Sequence, residues 1–241
     1  MKILVLGATG ATGRLLVAQL LTRGHDVVAI VRSADRLPAS VKDDPKFSVI
    51  SANLLDLSDA EMIRIVAGCD AVASCLGHNL TLKGIFGPPH RLVTDATRRL
   101  CQAIKANTPT HPVKVVLMNT AGNSNRDLNE PSSPAEKIVL ALLRRLVSPH
   151  ADNEEAADYL RTQIGQGDPV VEWVVVRPDT LTDEDEVTKY TVHASPTTSA
   201  LFKPGKTSRI NVGHFMADLM TEDTIWSQWK GQMPVLYNQE P

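Results

Sequence analysis

Two hydrophobic rhythms alternate along this chain. Short aliphatic runs at 3–6, 26–31 (DVVAIV), 47–50, 71–75, 113–118 (VKVVLM) and 170–176 (VVEWVVV) read as strands buried on both faces. Between them the spacing becomes helical. Leu15, Leu16, Ala18, Gln19, Leu20 and Thr22 form an amphipathic helix that Gly24 ends. Ser58 or Asp59 caps a helix through Val66. Pro88 opens a helix to about Asn107, with Leu92, Ala96, Leu100, Ala103 and Ile104 inward. Two further helices are expected at about 134–147 and 151–164. Strands separated by helices, with purely aliphatic cores, predict an α/β fold: a doubly wound parallel sheet covered on both faces.

Three stretches break the alternation: 77–90, 121–134 and 178–209. Each follows a predicted parallel strand, and in open α/β sheets ligands bind outside the carboxyl ends of the strands. Long loops inside a compact domain usually carry function. The expectation is one domain over 1–241, with 178–209 folded as a small lobe over a substrate cleft. The apolar helix around 137–147 is compatible with burial, with covering the cleft or with meeting a partner subunit.

Composition narrows the class. A chain of 241 residues can bury a large core. A net charge of −2 with mixed signs points away from nucleic acid and from anionic membranes. Cys69, Cys75 and Cys101 are odd in number and lack metal-type spacing, so they read as reduced thiols. Met1 leads straight into a strand and no apolar run is long enough to span a bilayer, so the expected location is the cytoplasm, as monomer or homodimer. The seven histidines show no helix-borne ligand spacing, and no metal is expected. His214 is expected to pack or cap locally. The run DEDE at 183–186 reads as a solvated loop rather than a cation site, and Lys203 and Lys206 as solvated rather than facing an anionic substrate.

The sharpest chemical signal is GATGATGR at residues 7–14. Gly7, Gly10 and Gly13 sit on a strand-to-helix turn inside a strand–helix–strand unit, the context in which such a turn binds a dinucleotide. Gly7 permits the sharp turn. Gly10 leaves no Cβ between backbone and pyrophosphate, and Gly13 lets the helix pack closely. The helix N-terminus offers free N–H groups to the anion, with Ala11 among them. Thr9 and Thr12 add hydroxyls. A turn that serves only packing does not account for Gly10. The fold is therefore expected to be of Rossmann type. The second strand ends AIVRSADR, with Arg32 where NAD-binding folds usually carry an acid, Ser33 beside it and Arg36 one turn on. Arginine can meet a 2′-phosphate with two parallel charge-assisted bonds, which favours NADP(H) over NAD.

GATGATG, VVAIVRS followed by RLP, SANLLD at 51–56, VVLMNTAG and VEWVVVRP occur in this order. Together they resemble the short-chain dehydrogenase/reductase superfamily, in its atypical branch, and within it the biliverdin reductase B/flavin reductase group and the NmrA-like proteins. SRINVGHFMADLMT is similar to the same group, and the resemblance runs from residue 1 to about 236. It implies that Asn53 and Leu54 read the adenine. Cys75, Leu76 and Gly77 would line the ribose and pyrophosphate. Asn119 and Thr120 would lie beside the nicotinamide ribose, and Pro178, Asp179 and Thr180 near the carboxamide.

The chain also departs from that pattern. Many relatives use a Tyr-x-x-x-Lys pair for proton relay. Here Pro149 falls at the tyrosine position, Asn153 at the lysine and Thr120 at the usual serine, while Tyr159 is followed four residues on by Gln163. Hydride transfer would then depend on positioning, which can lower a barrier by roughly 7–11 kcal/mol. The resemblance implies an NADPH-dependent reductase of a conjugated acceptor such as a flavin, quinone or tetrapyrrole. Thr120 and Asn153 would hold the nicotinamide ribose. His78 would be either a proton donor or an ordinary loop residue. A non-catalytic, NmrA-like NADP(H) sensor controlling a partner protein is the alternative, with loops 121–134 and 178–209 as its switch. A NAD-dependent sugar-nucleotide epimerase or dehydratase is disfavoured by the missing pair.

Overall fold

A computed structural model of the chain describes residues 1–78, 87–130 and 133–239, without side chains at 136, 137 and 143–146. The part of the 77–90 loop at 79–86 lies outside the described residues. The six strands expected from the aliphatic runs form as β1 (Lys2–Leu6), β2 (Asp26–Val31), β3 (Phe47–Ser51), β4 (Ala71–Ser74), β5 (Val113–Met118) and β6 (Val171–Pro178). Four short strands join them: β7 (Thr180–Thr182), β8 (Tyr190–His193), β9 (Lys206–Ser208) and β10 (Val235–Asn238). The main sheet runs β3-β2-β1-β4-β5-β6-β10-β8, and β7 pairs with β9 separately.

Strand order reverses between β1 and β4, which opens a crevice at their carboxyl ends. The sheet is Rossmann-like as expected, with one correction to its direction. β8 is antiparallel to β10, so part of the 178–209 stretch extends the sheet edge. Every other pairing in the main sheet is parallel.

The helices are α1 (Ala11–Thr22), α2 (Ala39–Lys42), α3 (Asp59–Val66), α4 (Leu92–Asn107), α5 (Pro134–Leu146), α6 (Ser148–Tyr159), α7 (Arg209–Thr221) and α8 (Asp223–Trp229). Strand alternation divides the core into two layers. Ile3 and Val5 face α1 and α7, while Leu4 and Leu6 face α3, α4 and α6. Ser58 caps α3 in a reciprocal box with Glu61, as its sequence suggests.

Two boundaries differ from the sequence reading. The helix expected from Pro88 begins at Leu92, and the one expected over 151–164 begins at Ser148 and passes into a π-helical turn at Leu160–Ile164. The start of α4 is set from a distance. Arg91 at its N-cap supplies no side-chain bond. Instead the Asp152 carboxylate of α6 accepts the Val93 and Thr94 amides at 2.8 and 2.9 Å. In α5, Ile138 and Leu142 are exposed, one turn apart.

Candidate functional site at the β1–β4 crevice

The glycine turn has the geometry that its spacing predicts. Gly7 holds φ at +76°, and a Cβ there would lie 2.6 Å from the Cys75 carbonyl oxygen. A Cβ on Gly13 would lie 2.1 Å from the Gly7 oxygen, so the helix start packs directly on the turn. Gly10 differs from both: its Cβ would meet only the Gly7 oxygen, at 3.1 Å. Packing therefore demands glycine at 7 and 13 far more than at 10.

Gly10 is the N-cap of α1, and no side chain caps it. Among the described residues, the amides of Ala11, Thr12 and Gly13 have no intramolecular acceptor. Such an end, with the partial positive charge of the helix behind it, suits a pyrophosphate. Thr9 is half-buried beside the turn and Thr12 is buried. At the end of β4, Ser74 Oγ is buried without a partner, a second polar group left over at the crevice.

Around this centre the structure distributes the other expected residues. Arg32 and Arg36 are exposed past the end of β2 and have no carboxylate partner among the described residues. The nearby acid, Asp35, is occupied by the Ser33 hydroxyl at 2.7 Å. Asn53 is exposed, and its Nδ2 donates to Asp56 at 2.9 Å, which leaves Oδ1 as the atom able to accept from an adenine amino group. The Leu54 side chain is buried in the core beneath it. Past β4, Leu76 packs into the core and Gly77 is exposed. Cys75 Sγ lies 3.9 Å from Met216 Sδ, and burial pushes its thiol up to about 12, so it is a packing group.

At the end of β5, the Asn119 side chain is buried and already engaged. Its Nδ2 donates to the Asn153 carbonyl oxygen at 2.8 Å and its Oδ1 accepts the Thr120 amide at 2.9 Å. Asn119 thus ties β5 to α6 and brings Thr120 and Asn153 together. Thr120 stays half-exposed, its Oγ1 accepting the Gly122 amide at 3.2 Å. Pro178 ends β6, and its carbonyl oxygen accepts the Ala121 amide at 2.9 Å. Asp179 accepts the Gly205 and Thr180 amides at 3.0 and 2.8 Å. Burial nonetheless pushes its carboxyl above the ordinary value, against the lowering effect of those donors. Thr180 is exposed in β7.

His78 is anchored. Its Nε2 lies 2.7 Å from Asp152 Oδ2, and its side chain is 4% exposed. With Nε2 turned to Asp152, only Nδ1 is left for other work. Tyr159 packs against the core below α4, where burial pushes its phenol up to about 12. It is no substitute for the tyrosine this chain lacks. His214 packs locally as expected, its Nδ1 2.9 Å from the Tyr190 hydroxyl.

Sequence reasoning missed several residues that shape the site: Asp152, His150, Arg177 and Glu130. Arg177 lies within an apparently aliphatic strand, and nothing local signals that its partner is in the 121–130 loop. Its guanidinium is fully buried and bonds Glu130 and the carbonyl oxygens of Asn123 and Met233. That loop is further held to α6 by Arg126–Asp158 and to the π-helical turn after it by Arg161–Asp127 at 2.5 Å. Of the 121–134 loop, offered as a switch, residues 121–130 are thus densely tied down in this conformation, while 131 and 132 lie outside the described residues.

A cavity of about 1180 Å³ lies at the β8–β10 edge. Lys189, Thr191, His193, Lys206, Tyr237 and Gln239 line it. Thr191 faces Tyr237 across the antiparallel pair, while the alternate residues Tyr190, Val192 and Leu236 pack in the layer of α7. The glycine turn does not line this cavity. Its wall meets the crevice through Tyr237, packed on Ala121, and through Gly205, bonded to Asp179. Among the described residues no cluster of His, Cys, Asp or Glu suits a metal, and no helix is long and apolar enough to cross a membrane.

Comparison with known proteins agrees with this geometry. A profile of the NAD(P)H-binding family matches residues 7–223. A stretch of 64 residues is 44% identical to an uncharacterized chloroplastic protein of Arabidopsis thaliana, covering 26% of this chain and 23% of that one. A stretch of 114 residues is 35% identical to the 3-diazoavenalumate denitrifying reductase of a Streptomyces species, covering 44% and 34%. The chain thus matches well under two thirds of either relative's length.

Solved structures share the fold over nearly the whole chain. An oxidoreductase of Lactococcus lactis superposes with a TM-score of 0.70 at 18% identity, covering 100% of this chain and 92% of that one. An NADH-flavin reductase candidate of Streptococcus pneumoniae gives 0.67 at 20%, covering 99% and 100%. A short-chain dehydrogenase/reductase of Veillonella parvula solved with NADP gives 0.71 at 18%, covering 100% and 94%. With the glycine turn, the uncapped helix and the family profile in register, the chain belongs to the NAD(P)H-binding family, on the Rossmann-like fold of NAD(P)-dependent oxidoreductases.

Proposed function

We propose that the protein is an NADPH-dependent reductase of a conjugated acceptor, such as a flavin, quinone or tetrapyrrole. The observation that carries the reading is the uncapped start of α1 at Gly10, where glycine serves a ligand more than packing. Ala11, Thr12 and Gly13 would bind the pyrophosphate through their amides. Arg32 and Arg36 would hold the 2′-phosphate, since neither has another anionic partner among the described residues. Asn53 Oδ1 would accept from the adenine. Thr120 and Asn153 would hold the nicotinamide ribose, with Pro178, Asp179 and Thr180 on the far side. When bound, the reduced nicotinamide supplies a hydride; the chain's own groups orient and shield it.

The whole chain acts as one unit in this reading, and 178–209 covers the acceptor's place. The edge cavity, with Lys189 and Lys206 at its rim, fits an acceptor bearing a carboxylate or phosphate. Similarity to a denitrifying reductase over 44% of the chain supports reduction, while the solved structures on this fold include both flavin reductase and epimerase candidates.

Calorimetry with NADPH, NADP+ and NADH, followed by NADPH oxidation against an acceptor panel, tests the proposal. Tight NADPH and weak NADH binding with turnover of one acceptor class is expected. R32A/R36A should abolish the NADPH preference; unchanged NADPH affinity would overturn the role given to those arginines. Binding without turnover across the panel would favour a redox sensor.

A further inference from the structure

Every hydride that a reductase delivers to its acceptor is matched by a proton, and this chain lacks the tyrosine that usually handles it. His150 stands where such a group is needed. It lies in the first turn of α6, its side chain is 12% exposed, and its Nε2 is buried with no hydrogen-bond partner. A buried ring nitrogen bonded to nothing calls for an explanation. The position of the ring supplies one. Its Cε1 lies 3.8 Å from the point that a Cβ on Gly122 would occupy, and Thr120 Oγ1 lies 3.7 Å from the same point. Imidazole and hydroxyl therefore approach one gap, kept open by a glycine, at the carboxyl end of β5.

The ring has acidic neighbours on its own helix. Glu154, one turn on, places Oε1 3.4 Å from Nε2: ion-pair distance, but not hydrogen-bond geometry. Its carboxylate also faces Arg126 Nη2 at 3.9 Å. Asp152, on the same helix, is committed to His78 and to the start of α4. Among the described residues, the groups beside the gap on the β5 side, Thr120 and Gly122, are neutral. Among the described residues, the Glu154 carboxylate thus stands beside Nε2, and Cε1 faces the gap at Gly122.

We propose that His150 is the proton source of the site, taking over the part that a tyrosine plays in Tyr-x-x-x-Lys relatives. The Nδ1–H bond breaks, an O–H or N–H bond forms on the acceptor, and water returns a proton to Nδ1, while Nε2 stays beside Glu154 Oε1. Glu154 offsets the charge of the imidazolium. The inference rests on the reductase reading above.

The test compares wild type, H150Q and E154Q, with FMN and a 1,4-naphthoquinone as acceptors. Calorimetry gives NADPH affinity, steady-state kinetics give kcat against pH, and 15N-histidine NMR follows the His150 ring. H150Q should lower kcat by about 10²-fold, within the range for general acids, and leave NADPH affinity unchanged. It should also remove the pH dependence that the ring imposes, and E154Q should displace that dependence. NADP+ should shift the His150 ring resonances in wild type, a readout that needs no variant to fold. Wild-type kcat and pH profile in H150Q, or a His150 ring indifferent to NADP+, would overturn the inference and leave the reductase reading standing. Failure of wild type to bind NADPH or to reduce either acceptor would remove both.

Discussion

Arg177 Nη2 donates to Glu130 Oε1 at 2.6 Å, and Nη1 reaches Oε2 at 3.1 Å, with the guanidinium wholly out of water. A strand residue of β6 thereby fixes the loop that follows β5. Removing one partner of a buried pair leaves an uncompensated charge, which costs about 3–5 kcal/mol. E130A should lower stability by that order in urea denaturation. Because Glu130 Oε2 also accepts the Asn125 amide, hydrogen exchange at Asn125 should accelerate more than at β6 amides. A fall in stability below about 1 kcal/mol would mean that the loop is held by its surface ion pairs instead.

Gly10 and Gly13 should respond differently to alanine. At Gly13 the new Cβ meets the Gly7 carbonyl at 2.1 Å, so G13A should destabilise the fold, by about 1–3 kcal/mol or more. At Gly10 the nearest atom, the Gly7 carbonyl oxygen, is 3.1 Å away and need give by only a few tenths of an ångström, so G10A should cost the fold less than G13A. NADP(H) affinity in G10A should nonetheless fall at least about tenfold, equivalent to about 1.4 kcal/mol. Calorimetry and thermal melts on both variants separate packing from ligand approach. A G10A protein that binds normally would count against pyrophosphate at this turn.

Asp152 couples two elements that the sequence keeps apart. Its carboxylate accepts two backbone amides of α4 and anchors His78. D152A leaves those donors buried and unpaired, at a cost of about 1–3 kcal/mol. D152N retains one oxygen acceptor and should lose less. Amide exchange at Val93 and Thr94 should quicken in D152A while the end of α4 near Asn107 stays protected. Uniform acceleration along the helix would show that the cap is not a local anchor.

Asp179 makes a prediction of opposite sign to most carboxylates. Burial raises its pKa from the usual 3.8 despite the Gly205 and Thr180 amides. The native state therefore holds this proton more tightly than the unfolded chain does. Its ionisation costs native stability, beginning as pH rises through the unfolded value and complete above the folded one. The melting temperature of D179N relative to wild type should rise with pH across that window and then level off. A difference that instead shrinks with rising pH would mean that the amide donors outweigh the burial.

The chain's pattern alone determined the six central strands, the glycine turn and the α1 start, because these depend on neighbours in sequence. A buried parallel strand must be aliphatic throughout, a turn into a helix needs glycine at set intervals, and Ser58 with Glu61 closes its own cap. Arg32 was legible for the same reason: it ends a strand whose partner sequence is local. The short edge strands were not, since β8 and β10 are strands only because they pair with each other and with β6. The start of α4 was hidden because its capping carboxylate lies 59 positions away from Val93. Arg177 looked like a polar break in an aliphatic run, and only the folded chain supplies Glu130 across 47 positions to satisfy it. His150 carried no motif, and only tertiary packing sets it beside Thr120 across the gap at Gly122. Local hydrogen bonding and periodic burial can be read along the chain. Charge compensation and proton placement at a site depend on which distant groups are desolvated together, and the fold alone decides that.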